Sequence, residues 1–238
     1  FLTLGRHEEF TLFCVVALAN SPEDADEALW TLARPVAGWG RIHAVERLAL
    51  SEDPEIRRWL LREGYWNSVM YEYTAATCAR AGGLLTALGD DDVDRGLLTA
   101  AGQILQALIA GGPAEGIDDY EDARPVIESF LGRMASSAET VEDFLHVHAI
   151  GGYLDEDESL WAGRYDAGWS PEVRERLRSE CRSILGRPEW EGRVRVGLES
   201  GDELVFAHAD QAARALGIDT WDLHRRRLLE KPADPGRW

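Results

Sequence analysis

The sequence predicts an all-α protein, and three observations carry that prediction. Apolar residues recur at helical spacing along nearly the whole chain, strand-like alternation is almost absent, and capping signals punctuate the apolar stretches. Hydrophobic side chains make up 45% of the 238 residues, which is the range of a folded chain and argues against disorder. That length suits one large domain or a single elongated array.

The elements follow in order. From Glu9, the residues Phe10, Phe13, Cys14 and Ala17 fall at i, i+3, i+4 and i+7, the buried stripe of a first helix. Asn20-Ser21-Pro22 ends it and caps a second, with Pro22 in the first turn and Glu23, Asp24 and Asp26 complementing the positive helix end. Its stripe is Ala28, Leu29, Leu32 and Ala33, and it stops at Pro35 and Gly38. A third helix runs from about Arg41 to Leu50, burying Ile42, Val45, Leu48 and Ala49. Ser51-Glu52-Asp53-Pro54 caps a fourth, Glu55 to Arg62, closed by Gly64. Further helices are expected near Trp66 to Ala81, Val93 to Ala110, Asp119 to Met134 and Thr140 to Ile150. The last four are expected near Pro171 to Leu185, Trp190 to Glu199, Glu203 to Leu216 and Thr220 to Leu229. Arg193-Val194-Arg195-Val196 alternates, yet it has a helical context and no strand to pair with.

The caps also recur. Asn20-Ser21-Pro22-Glu23-Asp24 and Ser51-Glu52-Asp53-Pro54-Glu55 stand 31 residues apart, within the period of helical-hairpin repeats, and Ser200-Gly201-Asp202-Glu203 is a third of the kind. The segment Leu198 to Gly217 ends in Ala209-Asp210-Gln211-Ala212-Ala213-Arg214-Ala215-Leu216-Gly217, small residues closing on Leu-Gly. It resembles the second helix of a HEAT repeat, and the whole chain resembles HEAT/armadillo-like repeat proteins. The segments His7-Glu8-Glu9-Phe10, Gly38-Trp39-Gly40-Arg41-Ile42-His43 and Asn67-Ser68-Val69-Met70 resemble those of an uncharacterised bacterial HEAT-like family. The resemblance implies a right-handed α-solenoid of stacked antiparallel helix pairs, and it brings no established activity. Residues 1–152 are read as an N-terminal helical array, and 170–238 as repeats continuing it. Residues 153–169, rich in glycine, aromatic and acidic side chains, are read as an irregular connection that packs down.

Charge and cysteine usage exclude several classes. A net charge of −18 repels phosphate backbones, and the longest basic run is Arg225-Arg226-Arg227, so nucleic acid is disfavoured. Cys14, Cys78 and Cys181 each lie in an apolar helical pattern, which reads as buried free thiols in a reducing cytoplasm. Apolar runs such as Phe13 to Ala19 are too short for a transmembrane helix, and Leu97 to Ala110 is broken by Gly102, Gln103 and Gln106. The opening has no basic n-region, so no secretory leader is expected.

Catalytic and metal signatures were tested and fail. His7-Glu8 begins like a zinc-protease helix, but position 11 is Thr where a second His is required. His146 and His148 are two apart and point to different sides of a helix. No phosphate loop or nucleophile elbow is present, and no metal or cofactor is expected. The candidates are instead binding residues near the starts of successive helices: His7 and Glu9; Trp39, Arg41, His43, Glu46 and Arg47; Asn67 and Tyr71. Equivalent positions of stacked repeats line one concave surface, and Arg, Trp and Tyr are the residues of binding hot spots. Each cluster also has a plain reading: an i, i+3 or i+4 ion pair around His43, a turn anchor at Trp39, an inter-helix contact at Tyr71. The expected function is a scaffold for a protein or peptide. The alternatives are a HEAT-like DNA glycosylase and a small-molecule enzyme whose base is a His–carboxylate pair drawn from His7, Glu9, His43 and Glu46.

Overall fold

Side-chain caps open many of the helices where the sequence places polar residues before apolar runs. The structure is a computed structural model that describes residues 1–20 and 25–230. Among them are α1 (Glu8–Ala19), α2 (Ala25–Ala33), α3 (Trp39–Leu48), α4 (Pro54–Trp59), α5 (Glu72–Gly82), α6 (Leu84–Gly89) and α7 (Arg95–Ala110). Then follow α8 (Ala123–Ser137), α9 (Val141–Leu154), α10 (Glu158–Asp166), α11 (Pro171–Leu185), α12 (Glu189–Leu198), α13 (Glu203–Ala215) and α14 (Trp221–Glu230). The described residues contain no strand, so the protein is all-α. Asp53, Asp94, Ser170 and Asp202 each accept backbone N–H groups of the turn they cap. At α9 the cap is reciprocal: Thr140 accepts the Asp143 N–H and the Asp143 carboxylate accepts the Thr140 N–H. The expected Ser21-Pro22-Glu23-Asp24 cap lies outside the described residues.

Helices two apart in the chain meet in sequence, α1 on α3, α3 on α5, α5 on α7 and α7 on α9, and α9 then meets both α11 and α13, the latter four helices on. Most of the others back this row. α2 lies on α1 and α3, α4 on α5, α8 on α6, α7 and α9, and α11 on α8 and α9. α12 lies against both α9 and α13. One apolar core runs through the described chain from Cys14 to Ala213, with Trp161, Trp190, Phe130 and Phe144 among its largest enclosed side chains. Between α5 and α6 the chain turns at Gly83, whose φ of 68° is the left-handed conformation a side chain would resist.

Several boundaries and faces differ from expectation. On α1 the inward residues are Thr11, Cys14, Val15 and Leu18, whereas Phe10 and Phe13 face out, Phe13 at 70% exposure. This helix is apolar nearly all round, so more than one stripe can be drawn on it, and contact with α2 and α3 selects the one used. The fourth helix is α-helical only to Trp59 and continues as a π-turn, Leu60–Gly64. The helix expected from Trp66 starts at Glu72, because the Asn67 carboxamide accepts the N–H groups of Val69 and Met70 and holds a turn there. The helix expected from Asp119 starts at Ala123, after the 3-10 turn Ile117–Asp119. The short α6 had no counterpart in the expected set.

Residues 153–169, expected to be irregular, instead contain the end of α9 and the whole of α10. Trp161 is enclosed there with Tyr153 and Trp169. Arg164 lies 4.1 Å over the Tyr153 ring and grips both oxygens of Asp118 at 2.7 and 2.8 Å. Those contacts reach back to the turn before α8, so long-range packing supplies the order that the glycines suggested was missing.

Candidate functional site

The nine candidate residues fall into three environments. Arg41 is 3% exposed and is spent on the backbone: its guanidinium donates to the carbonyls of Ala33 (2.9 Å), Arg34 and Val36 (3.3 Å each) and Glu63 (2.5 Å). It lies beside the rings of Trp59 and Trp66, at 5.1 and 5.5 Å, and ties the end of α2 to the π-turn. Asn67 is also buried, and its Nδ2 donates to the Met70 carbonyl and Thr74 Oγ1. Both are therefore parts of the frame and not of a binding surface. His7, Glu9, Glu46, Arg47 and Trp39 are exposed; His43 pairs with Glu46 at 3.2 Å one turn along, and Trp39 rests on Tyr73 with ring centres 4.9 Å apart. Tyr71 alone of the nine lines the four-helix cleft described next.

That cleft has a volume of about 500 Å³ and opens between the start of α5 and the faces of α7, α9 and α13. Glu72 enters from α5, Gln103 and Gln106 from α7, Glu142 and His146 from α9, and His208 and Gln211 from α13. Leu145, Ala107 and Met70 supply apolar wall, and among the described residues no lysine or arginine lines it. The polar groups are partly fixed. Tyr65 donates its hydroxyl to Gln103 Oε1 at 2.6 Å, and Gln103 Nε2 donates to Glu142 Oε1 at 2.5 Å, which also fixes which way the carboxamide points. Glu142 sits in the first turn of α9, where the helix dipole favours its negative charge. Among the described residues, Glu72, Gln106 and Gln211 make no side-chain hydrogen bond or ion pair, so their polar atoms are open to the cleft.

His146 forms the buried part of this site. It is 2% exposed, its Nε2 stands 3.9 Å from Glu142 Oε1, and its Nδ1 has no partner. The ring fits because Gly102 of α7 has no side chain: a Cβ there would fall 2.1 Å from Nδ1. Burial pushes the imidazole down to about 4, against the pull of Glu142 and Asp143, so it is neutral at pH 7. A histidine held neutral in the fold but free to protonate when unfolded weakens the fold as pH drops. Above the ordinary 6.5 it has no effect, and its cost grows to about 3 kcal/mol as pH falls through the window from 6.5 to about 4. Replacing it by asparagine should remove that slope. Urea midpoints of parent and His146→Asn, taken from pH 7.5 to 4, check this; parallel pH profiles would refute it.

A second, more apolar cleft of about 860 Å³ lies between the start of α9, α12 and α13, with Val141, Val196 and Val205 in its wall. Glu142 and His208 line both clefts, so the two adjoin. Among the described residues no group of three or more His, Cys, Asp or Glu side chains is placed to hold a metal ion, and no helix is long and apolar enough to cross a membrane.

Comparison of the chain with family models, with curated proteins and with solved structures finds no match. The site is thus defined by its geometry. Sequence reasoning missed Glu72, Gln106, Glu142, His208 and Gln211 and weighed His146 only as a metal ligand. The usable signal was the interruption of the apolar run of α7 by Gly102, Gln103 and Gln106: one makes room for a ring, and two present carboxamides.

Proposed function

We propose that this chain is a binding scaffold, a right-handed α-solenoid of stacked antiparallel helix pairs that takes an extended peptide segment of a partner protein. The serial packing of α1, α3, α5, α7, α9 and α13, backed by the intervening helices, supports the repeat reading. The observation that carries the function is the open cleft shared by four helices of that row, where Glu72, Gln106 and Gln211 are left without internal partners. Hydrogen-bonding groups on a rigid frame, beside an apolar cleft, suit recognition of a backbone and its side chains. A nucleic-acid enzyme of similar architecture needs a basic wall, and this wall is acidic and carboxamide. The enclosed free thiols of Cys14, Cys78 and Cys181 fit a reducing cytoplasm.

Panning a displayed random-peptide library on the chain, then titrating the enriched peptides in solution, tests the reading. Ala110→Trp places a large ring at an exposed position on the cleft wall and should weaken the enriched peptides at least tenfold without changing the melting temperature. Failure to enrich any peptide, or peptides indifferent to Ala110→Trp, would overturn it.

A further inference from the structure

We infer that the peptide's anchor in this groove is an arginine side chain, held by Glu72 and Glu142, with an apolar neighbour seated in the adjoining Val196–Val205 cleft. This rests on the scaffold reading and adds the chemistry of the ligand to it. Charge complementarity is the first argument. Two carboxylates face one cleft from different helices, no lysine or arginine among the described residues lines it, and the chain as a whole carries −18. Surface acids of this protein are often paired with arginines: Glu115 and Glu121 with Arg80, Asp118 with Arg164, Asp155 with Arg178. Glu72 makes no such pair among the described residues, although it is only half exposed. A carboxylate left unpaired in a partly enclosed site loses hydration without gaining a partner, and an incoming cation supplies one.

The second argument is the kind of cation. Tyr65 and Gln103 hold Glu142 Oε1 in a fixed direction, while Gln106 and Gln211 present further carboxamide oxygens. Several acceptors around one cleft, one of them held in place, suit the five N–H donors of a guanidinium better than the compact ammonium of lysine. His146 lines the same cleft as an enclosed ring whose Nδ1 faces Gly102 of α7, so that nitrogen is not offered to the peptide. The apolar cleft shares Glu142 and His208 with this site, so a residue close to the arginine in the peptide reaches it without a turn.

The test uses fluorescein-labelled nonapeptides of alternating leucine and X, with X as arginine, lysine, citrulline or glutamate, titrated by fluorescence anisotropy against the full chain. Citrulline keeps the shape of arginine and removes its charge. The arginine peptide should bind at least tenfold tighter than the citrulline peptide, with lysine between them and glutamate weakest. Glu72→Gln should cut arginine-peptide affinity about tenfold and leave the citrulline peptide unchanged. Glu52→Gln removes the same charge from an exposed loop before α4 and should change neither. Equal affinity for arginine and citrulline, or equal effects of Glu72→Gln and Glu52→Gln, overturns the arginine inference. If neutral peptides still bind and are weakened by Ala110→Trp, the scaffold reading survives that result; if no peptide binds at all, both fall.

Discussion

Arg41→Ala is expected to destabilise the protein by about 4 kcal/mol, more than the other single changes considered, although sequence alone marked Arg41 as a binding residue. Its guanidinium satisfies carbonyls at the end of α2 and in the π-turn and so joins the two segments. Truncation strips donors from buried acceptors, each loss costing about 1–3 kcal/mol, and empties the space beside Trp59 and Trp66. Arg41→Lys should recover only part, since an ammonium cannot span the same fork. Urea unfolding measures the loss. A change below about 1 kcal/mol would show that water replaces the guanidinium and that the side chain is free for another role.

Gly102→Ala should cost about 2 kcal/mol, even though alanine is ordinarily the better helix former by about 1 kcal/mol. The added methyl would meet the His146 ring at 2.1 Å, and that ring is enclosed, so neither α7 nor α9 can yield without disturbing the core between them. His146→Ala alone should also destabilise, by leaving a cavity. The double variant should be more stable than the sum of the two losses predicts, because alanine at 102 then occupies space that the ring vacated. A coupling of at least 1 kcal/mol in the thermodynamic cycle is the expected outcome. Strict additivity would mean that His146 does not rest on Gly102.

Local features were well marked in the chain. Asp53, Thr140, Ser170 and Asp202 cap helices where polar residues precede an apolar run, since a cap acts within one turn. Asn67 defeated the same reasoning: its carboxamide binds Val69 and Met70 and delays α5 to Glu72, although the following residues suit a helix. The candidate site was less legible. Of the residues named in advance Tyr71 lines the cleft, whereas Arg41 and Asn67 are buried and hydrogen-bonded within the fold. Glu72, Gln103, Glu142 and His208 carry no motif between them, because four helices contribute to one cleft and no spacing along the chain encodes the meeting point.

The sequence by itself determined the helical class, many of the helix starts and an acidic net charge, since propensity, capping and net charge are local or summed quantities. Tertiary structure alone decided which face of α1 turns inward, that Arg41 is enclosed, that 153–169 holds a helix, and that His146 settles on Gly102 beside two carboxylates. Those outcomes depend on which helix stacks on which, and burial energy is assigned by the neighbour and not by the residue.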